Sequence, residues 1–240
     1  MRAQRYQEWL APAALRGSVI CLWSSVALDD TETLVLPDAC SDLIWERGRG
    51  VYVAGPDTGP NPAPSPAGMA RFGVRFRPGA GGPALGLPLS ELRDQRVDLA
   101  DLRPALVRGL PGTLDLETAM SRVLDVAGHL VADNPPDIAM THASRMLADQ
   151  TAQVADVAVE IGLSPRQFRR RFHDTVGYGP KTLQRILRFR RFLSRIDSGD
   201  ADLAAIAVDV GYADQAHLTR ECADMAGLTP AVLARLRGAG

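Results

Sequence analysis

The stretch RQFRRRF, residues 166–172, sets four arginines around two phenylalanines within about two helical turns. A guanidinium carries five donors in a planar fork that fits phosphate oxygens and the O6/N7 edge of guanine. The chemistry on offer is recognition of a polyanion, although a charge run of this kind is also what a solvated helix surface looks like. Other chemistry is poorly supplied. Cys21, Cys40 and Cys222 form no CxxC pair and are odd in number, as free thiols in a reducing compartment would be. His129, His142, His173 and His217 form no metal-ligand motif, and residues 1–128 contain no histidine, which argues against an imidazole-based metal site there. No Ser or Cys nucleophile has a base at a recognisable spacing. The expectation is no enzyme activity, no catalytic residue, no metal and no cofactor.

These residues sit in a chain of 240 residues, 46% hydrophobic, with a formal net charge of −1. That length buries a real core and suggests two domains. The apolar runs break within about ten residues, short of the roughly 20 that a bilayer requires, so no membrane association is expected. The start MRAQRYQEWLAP lacks a secretory pattern, and a cytoplasmic location follows. The net charge hides an asymmetry. Residues 150–240 carry thirteen Lys and Arg against ten Asp and Glu, and residues 165–195 carry ten against the single acid Asp174. Such a concentration attracts a polyanion.

Two kinds of element must hold these groups. The runs VICLW (19–23), TLVL (33–36), DLIW (42–45), VYVA (51–54) and RFGVRF (71–76) read as strands. Between the last two, GPDTGPNPAPSPAG (55–68), with prolines at 56, 60, 62, 64 and 66, reads as a loop too rich in proline to pair in a sheet. From about residue 102 the pattern is helical. Apolar spacing over Leu114–Val131 predicts a helix that stops at the NPP of 134–136.

The second half contains an internal repeat. VADVAVEIGLS (154–164) lies over LAAIAVDVGYAD (203–214) at an offset of 49; one residue is inserted in the turn, and Ser164, Phe168, Arg170, Phe172, Gly177 and Pro180 then meet Asp214, Leu218, Arg220, Cys222, Gly227 and Pro230 at an offset of 50. Each unit reads as a short helix closed by glycine, a turn, an N-cap at Ser164 or Asp214, and a second helix burying one i, i+4 pair. That is a helix-turn-helix. With Phe168 and Phe172 inward, Arg166, Arg169 and Arg170 face outward, and Arg171, matched to Glu221, is left as a solvated or structural charge.

On these residues, together with YGPKTLQRILRFRRFL (178–193), Ile206, Ala207, Val210, Gly211, Tyr212, Gln215, Thr229 and Pro230, residues 137–237 resemble the DNA-binding domain of AraC/XylS-type transcriptional regulators. Cys222 departs from the pattern, where phenylalanine is usual, as do Ala216 and His217. The resemblance implies double-stranded DNA as partner and two recognition helices held by one long helix, about 180–196, entering successive major grooves. It assigns base-facing positions to Arg166, Arg169 and Arg170 in the first unit and to Gln215, Ala216, Thr219 and Arg220 in the second. The joining-helix arginines Arg188, Arg190, Arg191 and Arg195 go around the helix and cannot all face DNA.

The implied architecture is α+β: a β-rich domain over 1–102, a cupin-like barrel being one form of it, a helical linker over 103–136, and the DNA-binding domain over 137–240, with units at about 154–177 and 203–227. The first domain resembles the β-rich N-terminal domain of uncharacterised regulators of this family, which implies sensing of a small-molecule effector or formation of a homodimer. Trp23, Asp38, Cys40, Asp42 and Trp45 are the candidate pocket residues. Two other classes stay open: a DNA-repair enzyme carrying the same helix-turn-helix, disfavoured by three cysteines and no Cys-His pair, and a protein-interaction module that has lost DNA binding.

Overall fold

The computed structural model describes residues 4–238. The N-terminal part is built on strands β1 (Gln4–Leu10), β2 (Val19–Ala27), β3 (Thr31–Val35), β4 (Ser41–Glu46), β5 (Gly50–Ala54), β6 (Asn61–Ser65), β7 (Ala70–Phe76) and β8 (Arg96–Asp98). Six of them form one antiparallel sheet in the order β1-β2-β7-β4-β5-β8, and β3 pairs with β6 in a separate ribbon. The domain is β-rich as expected; its sheet is open, with β1 and β8 at opposite edges, so the closed barrel, one option for it, is not formed.

The Pro-rich segment corrects a second expectation, because its centre is a strand. Pro62 and Pro64 stand opposite Leu34 and Glu32. Their spacing of two sends both missing donors to the same edge, so Asn61, Ala63 and Ser65 are left to bond β3. The outer edge then lacks donors, which is a physical reason for the ribbon to stay apart from the six-stranded sheet.

Strict alternation divides the sheet into two faces. Leu43 and Trp45 of β4, Val51 and Val53 of β5, and Phe72, Val74 and Phe76 of β7 enter one hydrophobic core. Asp42 and Ile44, Tyr52, Arg71 and Arg75 point to the other side. The core face is covered by α1 (Gly81–Leu85), α2 (Leu99–Leu102) and α3 (Leu116–Asp133). Helix α3, which lies within the expected linker, packs Ala119, Val123, Val126, Ala127 and Leu130 into this core from an Asp115 cap that accepts the Thr118 N–H.

The C-terminal part is helical: α4 (Ile138–Met146), α5 (Val154–Glu160), α6 (Pro165–Val176), α7 (Pro180–Asp197), α8 (Leu203–Asp209), α9 (Gln215–Ala226) and α10 (Pro230–Gly238). The central helix α7 buries Leu183, Ile186, Phe189, Phe192, Leu193 and Ile196, a stripe at helical spacing against which the other helices pack. Each such side chain is worth about 1.5–3 kcal/mol of burial, so α7 is the main hydrophobic contributor to this half. No helix among the described residues is long and apolar enough to cross a membrane.

Candidate nucleic-acid interface and ligand cavity

Helix α6, the second helix of the first unit, starts where side-chain chemistry places it. The Ser164 hydroxyl accepts the Gln167 N–H at 3.3 Å, and Gln167 Oε1 accepts the Ser164 N–H at 3.1 Å, a capping box with Pro165 at the first helical position. Phe168 and Phe172 are buried edge to face, 5.3 Å between ring centroids. That fixes the opposite face, where Arg166, Arg169 and Arg170 are exposed. Helix α9, its counterpart in the second unit, starts at Asp214, whose carboxylate accepts the His217 N–H at 2.6 Å, and it buries Leu218 and Cys222. Gln215, Ala216, Thr219 and Arg220 are exposed. The Thr219 hydroxyl donates to the Gln215 carbonyl at 2.9 Å, which leaves only its acceptor side free.

The arginines fall into two groups. Arg171 makes a two-pronged pair with Asp137 at 2.7 and 2.9 Å and so belongs to the framework between α4 and α6. Arg185 pairs with Glu221 and Asp224, Arg188 donates to the Gly211 carbonyl and lies over the Tyr212 ring, Arg191 donates to the Ala148 carbonyl, and Arg195 pairs with Asp200 and Asp209. Arg185, Arg188 and Arg195 tie the second unit to α7, and Arg191 ties α7 to the loop after α4. Arg166, Arg169, Arg170 and Arg220 have no acidic partner among the described residues. Lys181, not singled out in the sequence, lines a shallow groove with Arg169, Arg170 and His173.

In the N-terminal half a cavity of about 670 Å³ lies between the sheet and the β3–β6 ribbon. Trp23, Asp38, Cys40 and Asp42 line it, four of the five expected pocket residues. Trp45 does not. It is fully buried on the core face with its indole N–H donating to the Pro111 carbonyl at 3.1 Å, because it stands an odd number of residues from Asp42 along one strand. Arg71, Arg75, Tyr6 and Tyr52 also line the cavity. The alternation in RFGVRF, aromatic and aliphatic residues against Arg71 and Arg75, is the signal that could have found the two arginines.

Asp42 Oδ1 accepts the Trp23 indole N–H at 2.7 Å and an Arg75 N–H at 3.2 Å. Burial pushes the Asp42 carboxyl up to about 6 against the lowering effect of Arg75. Burial works against the Arg75 charge, yet Asp42 and Asp38 overcome it and hold the guanidinium cationic. Burial raises the Cys40 thiol well above its ordinary value.

Two connections run from the cavity wall to the helical half. Asp38 and Cys40 face the cavity, while Ala39 between them, in the left-handed region at φ 71°, packs into the helical core. The second is the Pro-rich segment, whose Gly55, Asp57 and Asn61 line the cavity. Gly177, which closes α6 at φ +95°, is so close to Pro56 that a Cβ would run into its ring; Gly227, the equivalent residue of α9 at φ +65°, would carry a Cβ 3.9 Å from Pro60.

Residues 157–235 match the model of a helix-turn-helix domain, and residues 7–98 match that of a domain of unknown function (DUF6597). No curated protein matches the chain at a significant level. Among solved structures, the C-terminal domain of AraT, a response regulator from Geobacillus stearothermophilus, is 20% identical with a TM-score of 0.37, over 41% of this chain and 82% of that one. ToxT from Vibrio cholerae O395 is 11% identical with a TM-score of 0.47, over 98% of each chain.

Proposed function

The C-terminal part of this chain is an AraC-type helix-turn-helix domain, and from that premise we propose a sequence-specific DNA-binding transcriptional regulator that reads successive major grooves and is controlled by a small molecule in the N-terminal cavity. The observation that carries the reading is the sorting of arginines. Arg170 and Arg220, equivalent in the repeat, are exposed and without an acidic partner among the described residues, whereas Arg171, Arg185, Arg188, Arg191 and Arg195 are engaged inside the domain. Arginine at such positions suits the O6/N7 edge of guanine, and Gln215 suits the N6/N7 edge of adenine. Grooves on one DNA face recur every roughly 34 Å, so α7 acts as the ruler between α6 and α9. One chain supplies both recognition helices, and the reading does not require a homodimer.

Control by a ligand follows from the cavity wall, since the segments on either side of Asp38 and Asp57 reach the helical core and the ends of both recognition helices. The test is selection of duplex DNA from a random pool by the full chain, followed by titration over a range of salt. Two subsites about one helical turn apart are expected, with log affinity falling linearly with log salt. Equal affinity for selected and random duplex would sink the reading.

A further inference from the structure

We infer that the cavity between the sheet and the β3–β6 ribbon is a site for an organic cation, a protonated amine on an apolar body, with its nitrogen at Asp42 and its body along Trp23 and the ribbon wall. The inference rests on the reading of this cavity as the effector site.

The assignment comes from accounting for the charges that face the cavity. Arg71 donates to Glu46, to the Ser65 hydroxyl and to the Pro64 carbonyl, so all three of its nitrogens are engaged. Arg96 holds Asp57 with two nitrogens, at 3.0 and 2.6 Å. Arg49 pairs with Asp98 and donates to the Arg96 carbonyl. Each of these cations has one acid. At Arg75 the ratio changes: Asp42 lies at 3.2 Å and Asp38 at 3.4 Å from its Nε, and Glu8 lies 3.7 Å from Nη1. Glu8 lies outside the cavity wall and accepts the Tyr6 hydroxyl at 2.6 Å, so at this end two lining carboxylates, Asp38 and Asp42, share one guanidinium.

The deficit has an address. Asp42 is 8% exposed and its Oδ1 takes both available donors, so Oδ2 has no partner among the described residues although Asp42 lines the cavity. Unlike Glu221 Oε2, which is buried without a partner, Asp42 Oδ2 is accessible on the cavity wall, where an ammonium group can donate a charge-assisted hydrogen bond to it. Burial first, and the Asp38 charge after it, raise the Asp42 carboxyl to about 6 against the lowering effect of Arg75. Trp23 and Tyr6, 6.1 Å apart and 29° from parallel, add aromatic surface at this end, which favours a cation over a neutral group. Ile44, Val35, Pro62 and Ala63 add an apolar stretch to the wall, suited to a ligand body without charge. An anionic ligand meets the opposite balance. The Nη groups of Arg75 would attract its carboxylate, but Asp38 and Asp42 would both repel it.

The experiment uses the full chain, without DNA, and three probes sharing one body: phenylbutylamine, phenylbutanol and phenylbutyrate. Calorimetric titration above neutral pH is expected to give the amine about tenfold or more tighter binding than the alcohol, with the acid weakest. Asp42→Asn should remove the preference for the amine over the alcohol. In the unaltered chain the amine should weaken as pH falls through about 6, where Asp42 takes its proton. The other groups facing Asp42 are Tyr6 and Glu8 of β1, Cys21 of β2, Asp38 and Cys40 of the preceding loop, and Arg75 of β7; burial keeps Tyr6, Cys21 and Cys40 protonated across this range. Tightest binding of the acid, equal binding of amine and alcohol, no binding of any probe, or an amine affinity indifferent to pH would each overturn the inference. The pH titration decides the matter even where the Asn variant fails to fold. Amine preference without selective DNA binding would remove the regulator and leave the site; selective DNA binding without amine preference would do the reverse.

Discussion

The first helix-turn-helix unit starts its second helix with a reciprocal capping box and buries two phenyl rings edge to face, whereas the second relies on one aspartate cap and buries a leucine and a thiol. Their outer faces differ as well. Three exposed arginines without an acidic partner among the described residues stand on α6 and one on α9. The attachments differ in the same direction. The end of α6 abuts Pro56 tightly, while at the end of α9 even an added Cβ would stand 3.9 Å from Pro60, and α9 is held to α7 by Arg185 through Glu221 and Asp224. A repeat therefore need not divide its work evenly. The first unit supplies more charge and the closer contact with the cavity-bearing half, and the second is positioned chiefly by the joining helix.

The largest way to break this comparison is through the cores. Phe172→Ala should lower the unfolding free energy by about 3–5 kcal/mol in chemical denaturation, and Cys222→Ala, which removes one sulfur rather than a ring, should cost less than half as much. If the second unit were slack, Cys222→Phe would stabilise it. Cys222 is fully buried, so a loss of about 1–3 kcal/mol is expected from overpacking.

The next test concerns DNA. Alanine at Arg170 or at Arg220 should each weaken binding of the selected duplex by about 1–3 kcal/mol and relax preference at one position, read by titration against single-base variants. Replacing Arg166, Arg169 and Arg170 together should lower the salt slope by about 3, and Arg220 alone by about 1. Equal slopes for the two units would show that the asymmetry of charge is not used.

The smallest expected effect lies at the helix ends. Gly177→Ala and Gly227→Ala both place a Cβ in the left-handed region, at a cost of about 1–2 kcal/mol. Only the first also collides with Pro56, so its midpoint in thermal denaturation should fall further. Equal shifts would mean that the contact between the halves yields without resistance.

Most of the helical half was legible in the sequence because its signals are local. The offset of 50 locates both units, Ser164 and Asp214 mark where α6 and α9 begin, and Phe168 and Phe172 decide which arginines are outward. The separation of Arg171 from Arg170 could be read from its match to Glu221. Its partner Asp137, 34 residues away, could not. In the β-rich half less was legible. Alternation in DLIW and RFGVRF carries the division of the sheet into two faces and, applied strictly, removes Trp45 from the cavity and adds Arg71 and Arg75. The two-residue spacing of the prolines is compatible with an edge strand, yet proline density reads first as a loop.

By itself, then, the sequence determined which residues cap, which bury and which alternate, since each of these depends on neighbours within a turn or a strand. Only the tertiary structure decided that β3 and β6 stand off the sheet to leave a cavity, that three acids converge on Arg75, and that Ala39, Pro56 and Pro60 carry the cavity wall to the helical half. Those contacts join residues far apart in the chain, and nothing in local spacing specifies where a distant partner will lie.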